Sequence, residues 1–314
     1  MMYRNFILPV SLLAGTIIGA GMFALPYSFE KAGIITGLLY VLLFGGVFTI
    51  IHLMYAEIGL RNHDHHRLVG HAEKYLGPLG RYITVITSVL GMLFALTIYL
   101  VLSLSFVHLM FPNAAEIYAL LIFWCLGSLA IFLEVNNLAR SEFIITVGMI
   151  SIIMIITGVG LAQGEKIFEL PLVNPASLLV PFGAVLFSLS GRVAIPAVVG
   201  YFRKNNLDPK GIRPAIITGT MLPALFYFLF VIGILGLSSN VSEDAIKGIE
   251  GSVNPILMWL LGALGIISLW SSYIVIGRDL SKSLEYDFAI PKIFKISIVV
   301  FFPLLLYYAG FQSF

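Results

Sequence analysis

Twelve residues near the amino terminus, Gly15-Thr-Ile-Ile-Gly-Ala-Gly-Met-Phe-Ala-Leu-Pro26, put three glycines and a proline inside a stretch apolar enough to cross a bilayer. Relative to alanine, glycine costs a helix about 1 kcal/mol and interior proline about 3 kcal/mol. Such a run survives in a span where the helix is meant to break and where the freed backbone groups face protein or a cavity instead of lipid. A break at membrane depth exposes backbone dipoles that can hold a charged solute, so this segment is the first candidate for a binding site.

The bilayer setting follows from composition: 59% of the residues are hydrophobic, 11% are charged, and the mean hydropathy is +1.01. With about 17 to 25 apolar residues needed per crossing, the chain offers nine candidate spans, at 5 to 33, 35 to 60, 82 to 111, 115 to 134, 141 to 163, 173 to 202, 213 to 237, 255 to 280 and 294 to 312. The first is too long and too interrupted for a cleaved signal peptide and is expected to stay in the mature protein. The single cysteine, Cys125, excludes an intrachain disulfide or a multi-cysteine metal centre and reads as a small core residue.

Basic residues set the expected orientation. With the amino terminus in the cytoplasm, Arg4, Arg61, Arg67, Lys74, Arg81, Arg140, Arg203, Lys204, Lys210, Arg213, Arg278, Lys282, Lys292 and Lys295 fall inside, against Lys31, Lys166 and Lys247 outside. The net charge of +2 is thus a matter of topology and implies no nucleic acid partner. The chain reads as a multi-pass protein of the cell membrane, with lipid as its surroundings.

An internal repeat adds to the first feature. Gly21-Met-Phe-Ala-Leu-Pro26 in the first span matches Gly191-Arg-Val-Ala-Ile-Pro196 in the sixth. Five spans separate the starts of the two units, and an odd number inverts the second copy relative to the first. Ser188-Leu-Ser-Gly-Arg192 is also a poor helix, followed by a proline suited to the first turn of a new one.

These residues carry a family resemblance. Gly15 to Gly33 resembles the first helix of the amino acid permeases grouped as the amino acid/auxin and the hydroxy and aromatic amino acid families, within the amino acid-polyamine-organocation superfamily. Phe187-Ser-Leu-Ser-Gly-Arg-Val-Ala-Ile-Pro196 is similar to their second broken helix. Ser271-Ser-Tyr273, Gly277-Arg-Asp279 and Tyr286-Asp-Phe-Ala-Ile-Pro291 resemble their eighth helix and the loop after it. The resemblance implies an all-α integral membrane protein with the LeuT-type inverted repeat, here five plus four spans with the first and sixth helices broken. The first repeat would be residues 1–163 and the second 164–314, in one transmembrane domain. It also implies secondary transport of amino acids, neutral or aromatic, in symport with Na+ or H+ by alternating access. By that count the partner of span five is missing, which leaves open a truncated, non-transporting sensor or scaffold. A permease for another small solute is the rival within transport.

Each piece has an expected role. Amides of roughly Ile17 to Gly21, at the positive end of the half-helix beginning near Met22, suit a carboxylate. Gly19 and Gly21 let a ligand approach the backbone closely. Carbonyls of about Phe187 to Ser190 end a half-helix with its negative pole and suit an ammonium group. The substrate set is therefore Thr16, Ile17, Gly19, Ala20, Gly21, Phe187, Ser188, Ser190 and Arg192. Arg192, costly in a membrane, has three readings: it holds an acidic group of the substrate, it pairs with Glu57 or Glu134, or it snorkels to a water-filled vestibule. In the first it disfavours cationic substrates.

The resemblance places a sodium ion between the carbonyls of Gly15, Ile18 and Ser268 and the hydroxyls of Ser271 and Ser272, neutral oxygens that can replace part of a hydration shell. The competing reading is that the serines bond to their own helix one turn earlier. Where some relatives build a second sodium site with an asparagine, this chain has Met22. Where some proton-coupled relatives use a lysine of the fifth helix, Phe143 to Gly160 holds no ionisable residue, which favours sodium over protons. His63-Asp-His-His66 with His71 reads as a solvated basic loop, with metal binding or pH sensing as alternatives. His52 and His108 read as bonded structural residues, and Trp124, Trp259 and Trp270 as lipid-facing or interfacial anchors. No GxxxxGK[ST], HExxH or GxSxG is present, so neither an ATP-driven pump nor an enzyme is expected, and no cofactor is called for.

Overall fold

The computed structural model describes residues 2–62, 64–164, 170–237, 241–242 and 253–311, and among these it is helical throughout, without strands. His63, Lys166 and Lys247 lie outside the described residues. Twelve α-helices follow in order: α1 Leu8–Ile17, α2 Leu25–Ala32, α3 Ile34–Arg61, α4 Leu68–Thr84, α5 Gly91–Met110, α6 Glu116–Ala130, α7 Val135–Gln163, α8 Val180–Ser188, α9 Ile195–Lys204, α10 Ile212–Leu237, α11 Pro255–Tyr286 and α12 Lys292–Tyr308. Six helical stretches are long and apolar enough to cross a membrane alone, and Tyr3–Ile17 with Ala20–Ala32, bent by 50°, makes a seventh as one broken span. The shorter α6 and α12 coincide with the remaining two apolar stretches of the sequence. The molecule is a multi-pass integral membrane protein.

Glycine and proline place the breaks. After α1, Ile18 turns out of the helical region at ψ 79° and Gly19 is extended at φ −122°, ψ −168°. A 3-10 turn, Ala20–Ala24, then leads into α2, which starts with Leu25-Pro26, where a missing amide costs nothing. The sixth span repeats the plan more gently. α8 ends at Ser188, a 3-10 turn covers Arg192–Ala194, and α9 opens on Ile195-Pro196. Gly33, between α2 and α3, sits at φ +96° with the Leu172 and Val173 backbone against it, a conformation and a space that only glycine fits. Gly77, at φ +72° before Pro78, kinks α4 and divides its polar first half from the apolar stretch that continues into α5.

Burial differs sharply along the bundle. In the most apolar window of α11, 72% of residues are buried, against 22% in α3, so α11 is the central post and α3 a lipid-facing staff. Leu39, Leu42, Leu43, Ile50 and Met54 of α3 are exposed accordingly. Lipid removes the hydrophobic drive between helices, so close backbone approach does the holding. α7 and α10 touch where a Cβ on Gly160 would stand 2.7 Å from Gly233 Cα, and Thr157 Oγ1 donates to the Leu229 carbonyl there at 2.9 Å. The Phe106 ring of α5 fills the groove over Gly265 of α11.

Several expectations about single residues change. Cys125 is exposed, not a core residue. Trp124 does not merely face lipid: its indole N–H donates to the Val300 carbonyl at 2.8 Å, and Trp270 packs edge-on against Phe123. Both rings sit where α6 meets α11 and α12, so tertiary packing takes them. Trp259 is exposed. His52 Nδ1 pairs with Thr220 Oγ1 at 3.0 Å, and His108 Nε2 with the Ala114 carbonyl at 3.1 Å.

Candidate functional site

The two breaks face each other across a cavity of about 150 Å³. Thr16, Ile17, Gly19, Ala20 and Gly21 line it from the first break, and Phe187, Ser188, Ser190 and Arg192 from the second. The structure thus brings all nine expected substrate residues to one place. Thr87, Ser88, Gly91, Met92, Ala95 and Tyr99 close it on the α5 side, and Ser272 and Ile276 on the α11 side. Sequence reasoning missed the Ser88 and Tyr99 contributions, since neither interrupts its helix.

Contact between the breaks is direct. A Cβ on Gly21 would stand 2.8 Å from Ser188 Cα and 2.9 Å from Phe187 Cδ1. Tyr227 of α10, fully buried, reaches in behind them, its hydroxyl bonded to the Ile17 carbonyl and, at 2.8 Å, to the Ser188 carbonyl. The gap in the first break is narrower than expected, because the Ile18 amide keeps its partner, Ala14 O, at 2.9 Å.

Arg192 takes neither of the carboxylates weighed for it. Glu57 pairs with Arg61 at 2.7 Å, and Glu134 with Lys204 at 2.9 Å. The Lys204 ammonium on Glu134 holds that carboxyl below its usual range. Arg192 Nη2 instead donates to Ser88 Oγ at 3.1 Å, while Nη1 is buried without a hydrogen-bond partner. Arg192 thus borders the cavity with no carboxylate in direct contact among the described residues, the buried Asp279 acting on it only at longer range.

Of the residues expected around sodium, Gly15, Ser271 and Ser272 meet where α1 crosses α11. Gly15, Ile18, Ser268, Ser271 and Ser272 are all buried. Ser272 Oγ donates across the seam to the Thr16 carbonyl at 3.1 Å, whereas the Ser268 hydroxyl bonds back to Gly265 O at 2.9 Å within its own helix. Ser271 Oγ turns to a partner outside the expected set, Glu142 Oε2 of α7, at 2.5 Å. Glu142 lies one residue before the stretch in which the fifth span shows no ionisable group, and it is fully buried.

A larger cavity of about 590 Å³ opens at the end of the molecule bearing Arg203, Lys204, Arg278 and Lys282. Ile195 and Pro196 line it, while Arg192 and Val193 of the same turn line the smaller cavity. At its mouth the segment before α4 is tied to α11: the Arg67 amide and His66 Nδ1 meet Asp287 Oδ1 at 2.9 and 3.1 Å, and Arg67 Nε stands 3.7 Å from Asp279 Oδ1. The histidine-rich loop belongs to this latch. Among the described residues no group of three or more His, Cys, Asp or Glu is placed to hold a metal ion.

A family model described as the tryptophan/tyrosine permease family matches residues 2–308 of the chain. Among solved structures, the chain is similar to a Na+-coupled sialic acid symporter in a substrate-bound outward-open state, with 10% identity and a TM-score of 0.68 over 96% of this chain and 72% of that one. It is also similar to Mhp1, a nucleobase-cation-symport-1 family transporter in a closed conformation with bromovinylhydantoin bound, at 14% identity, a TM-score of 0.65, and 98% and 72% coverage. At these identities the likeness shows the shared LeuT-type fold alone. No curated protein matches the chain.

Proposed function

Because the chain belongs to the tryptophan/tyrosine permease family, and is thereby a membrane solute transporter and not an enzyme, we propose that it carries neutral, aromatic amino acids across the cell membrane by alternating access, in symport with Na+, or with H+ as the other candidate ion. The amino terminus is cytoplasmic in this reading, and the repeats 1–163 and 164–314 are its two structural halves. The observation that carries the proposal is the convergence of both breaks on one cavity bordered by the Arg192 guanidinium, which forms no ion pair among the described residues.

A zwitterion fits that environment. Its carboxylate meets Arg192 and the amide-rich start of the turn Ala20–Ala24, and its ammonium group faces the carbonyl end of α8, where Ser188 lies. Gly91 and Ala95 present the smallest side chains of the α5 wall. The two similar structures hold other solutes on the same frame, so the substrate class rests on the family, not on the fold. In the cycle, α1–α3 and α8–α10 rock against α5, α6, α11 and α12, exposing the cavity alternately to the two sides.

Purified protein in liposomes is expected to accumulate labelled tryptophan or tyrosine when a sodium gradient is imposed. Absence of gradient-driven uptake of any neutral amino acid, by sodium or by pH, from a monodisperse sample would sink the proposal. Arg192→Gln keeps a donor and loses the charge. Its KM for the amino acid is expected to rise about 10- to 100-fold, the worth of one charged hydrogen bond. Inhibition by the corresponding amino acid amide, which has no carboxylate, should change little. Equal loss for acid and amide would remove Arg192 from carboxylate recognition.

A further inference from the structure

We propose that Glu142 is the charged ligand of the coupling cation, so that the cation site spans three helices, α1, α7 and α11, and takes a monovalent metal ion of the sodium class. The inference rests on the symport reading above and names the charge that reading lacks.

The geometry begins with a glycine. A Cβ built on Gly15 would lie within 3.4 Å of three side-chain oxygens at once: Glu142 Oε2, Thr146 Oγ1 and Ser271 Oγ. Two helices, α7 with two oxygens and α11 with one, thus crowd one point of the α1 backbone, and only hydrogen at that position leaves the space open. Glu142 and Thr146, four residues apart on α7, share a face and are 0% and 3% exposed. Adjacent serines on α11 divide the work. Ser272 closes the seam to the Thr16 carbonyl, and Ser271 turns to Glu142.

Two of these oxygens are unanswered. Glu142 Oε1 and Thr146 Oγ1 are buried with no hydrogen-bond partner, and no ion pair reaches Glu142 among the described residues. An isolated carboxylate in such a place is strongly disfavoured, and a hydroxyl whose lone pairs meet nothing adds to the deficit. A metal cation among them answers both, whereas the rival, a proton on Glu142, removes the charge without filling the space between the oxygens. The charge count selects its class: one carboxylate with neutral hydroxyls and carbonyls balances a single positive charge, whereas a divalent ion draws on more acidic ligands than this chain gathers anywhere among the described residues. Because Gly15 belongs to the rocking bundle and Ser271 to the frame, occupancy would fasten one to the other.

The test reads binding apart from transport. Full-length protein in detergent is melted in NaCl against choline chloride at constant ionic strength and pH. The wild type is expected to show a saturable rise of Tm with sodium. Glu142→Gln should raise the half-saturating sodium concentration by on the order of 100-fold or more, since it strips the site of its only charge, and Thr146→Val should raise it about tenfold. A wild-type saturation curve retained in Glu142→Gln overturns the proposal, as does a wild type indifferent to sodium. If Glu142→Gln does not fold, Thr146→Val and Ser271→Ala decide: unchanged half-saturation in both overturns it. Gradient-driven uptake by a protein that sodium does not stabilise would discard the cation site and keep the carrier. Sodium stabilisation lost in Glu142→Gln, without uptake of any amino acid by the wild type, would discard the carrier and keep the site.

Discussion

Gly160→Leu is expected to abolish recovery of folded protein. At this crossing the backbone of α7 lies against that of α10, and a Cβ on Gly160 would meet the Gly233 carbonyl group and Cα, atoms that cannot swing aside as the end of a side chain does. Gly236 contributes the reciprocal contact, its own Cβ position falling on the Gly160 backbone. Even Gly160→Ala has to part the helices, a strain of about 1–3 kcal/mol or more, and a leucine leaves the crossing nowhere to close. Size-exclusion profiles of detergent-extracted protein would show aggregate in place of a monodisperse peak. Gly158→Ala is the control, two residues away on the same helix, where a Cβ meets nothing within 4 Å; its profile should match the wild type. Monodisperse Gly160→Leu would mean that the two helices are not held by backbone contact.

The second large effect concerns transport without loss of fold. Gly21→Ala puts a methyl group against Ser188 Cα and the Phe187 ring, where the two breaks meet. The methyl wedges the carboxylate side of the cavity from the ammonium side. Misplacing reacting or binding groups by about 1 Å costs on the order of 100-fold, and initial uptake in liposomes is expected to fall by about that factor, with the protein still folding but melting at a lower temperature because the Ser188 backbone must yield. Gly91→Ala enters the same cavity from an open wall, with nothing within 4 Å of its Cβ. It should penalise ring-bearing substrates more than alanine or serine. Wild-type uptake by Gly21→Ala would show that the breaks are not the binding site.

Much of this was legible in the residues because glycine and proline mark breaks by simple backbone energetics. Gly15 to Pro26 and Gly191 to Pro196 announce two interrupted helices, and the structure places both around one cavity. What the sequence did not disclose depends on rotation about helix axes. α7 is apolar on nearly every side, so nothing in its pattern says that Glu142 faces inward toward Ser271 and not toward lipid. Tyr227 is hidden in the same way, one aromatic among several in α10, distinguished only by the two carbonyls it meets. Arg192 was visible as an anomaly, but its neighbour Ser88 lies 104 residues away, a distance no local pattern spans.

Tyr227 has one further consequence. A phenol has a single hydrogen to give, and two carbonyls, Ile17 of the first break and Ser188 of the second, claim it. Shared between two acceptors, that hydrogen satisfies each less fully than a donor of its own would. Whatever satisfies one carbonyl from outside releases the hydrogen to the other, and the two halves of the chain are in that sense rivals for one proton.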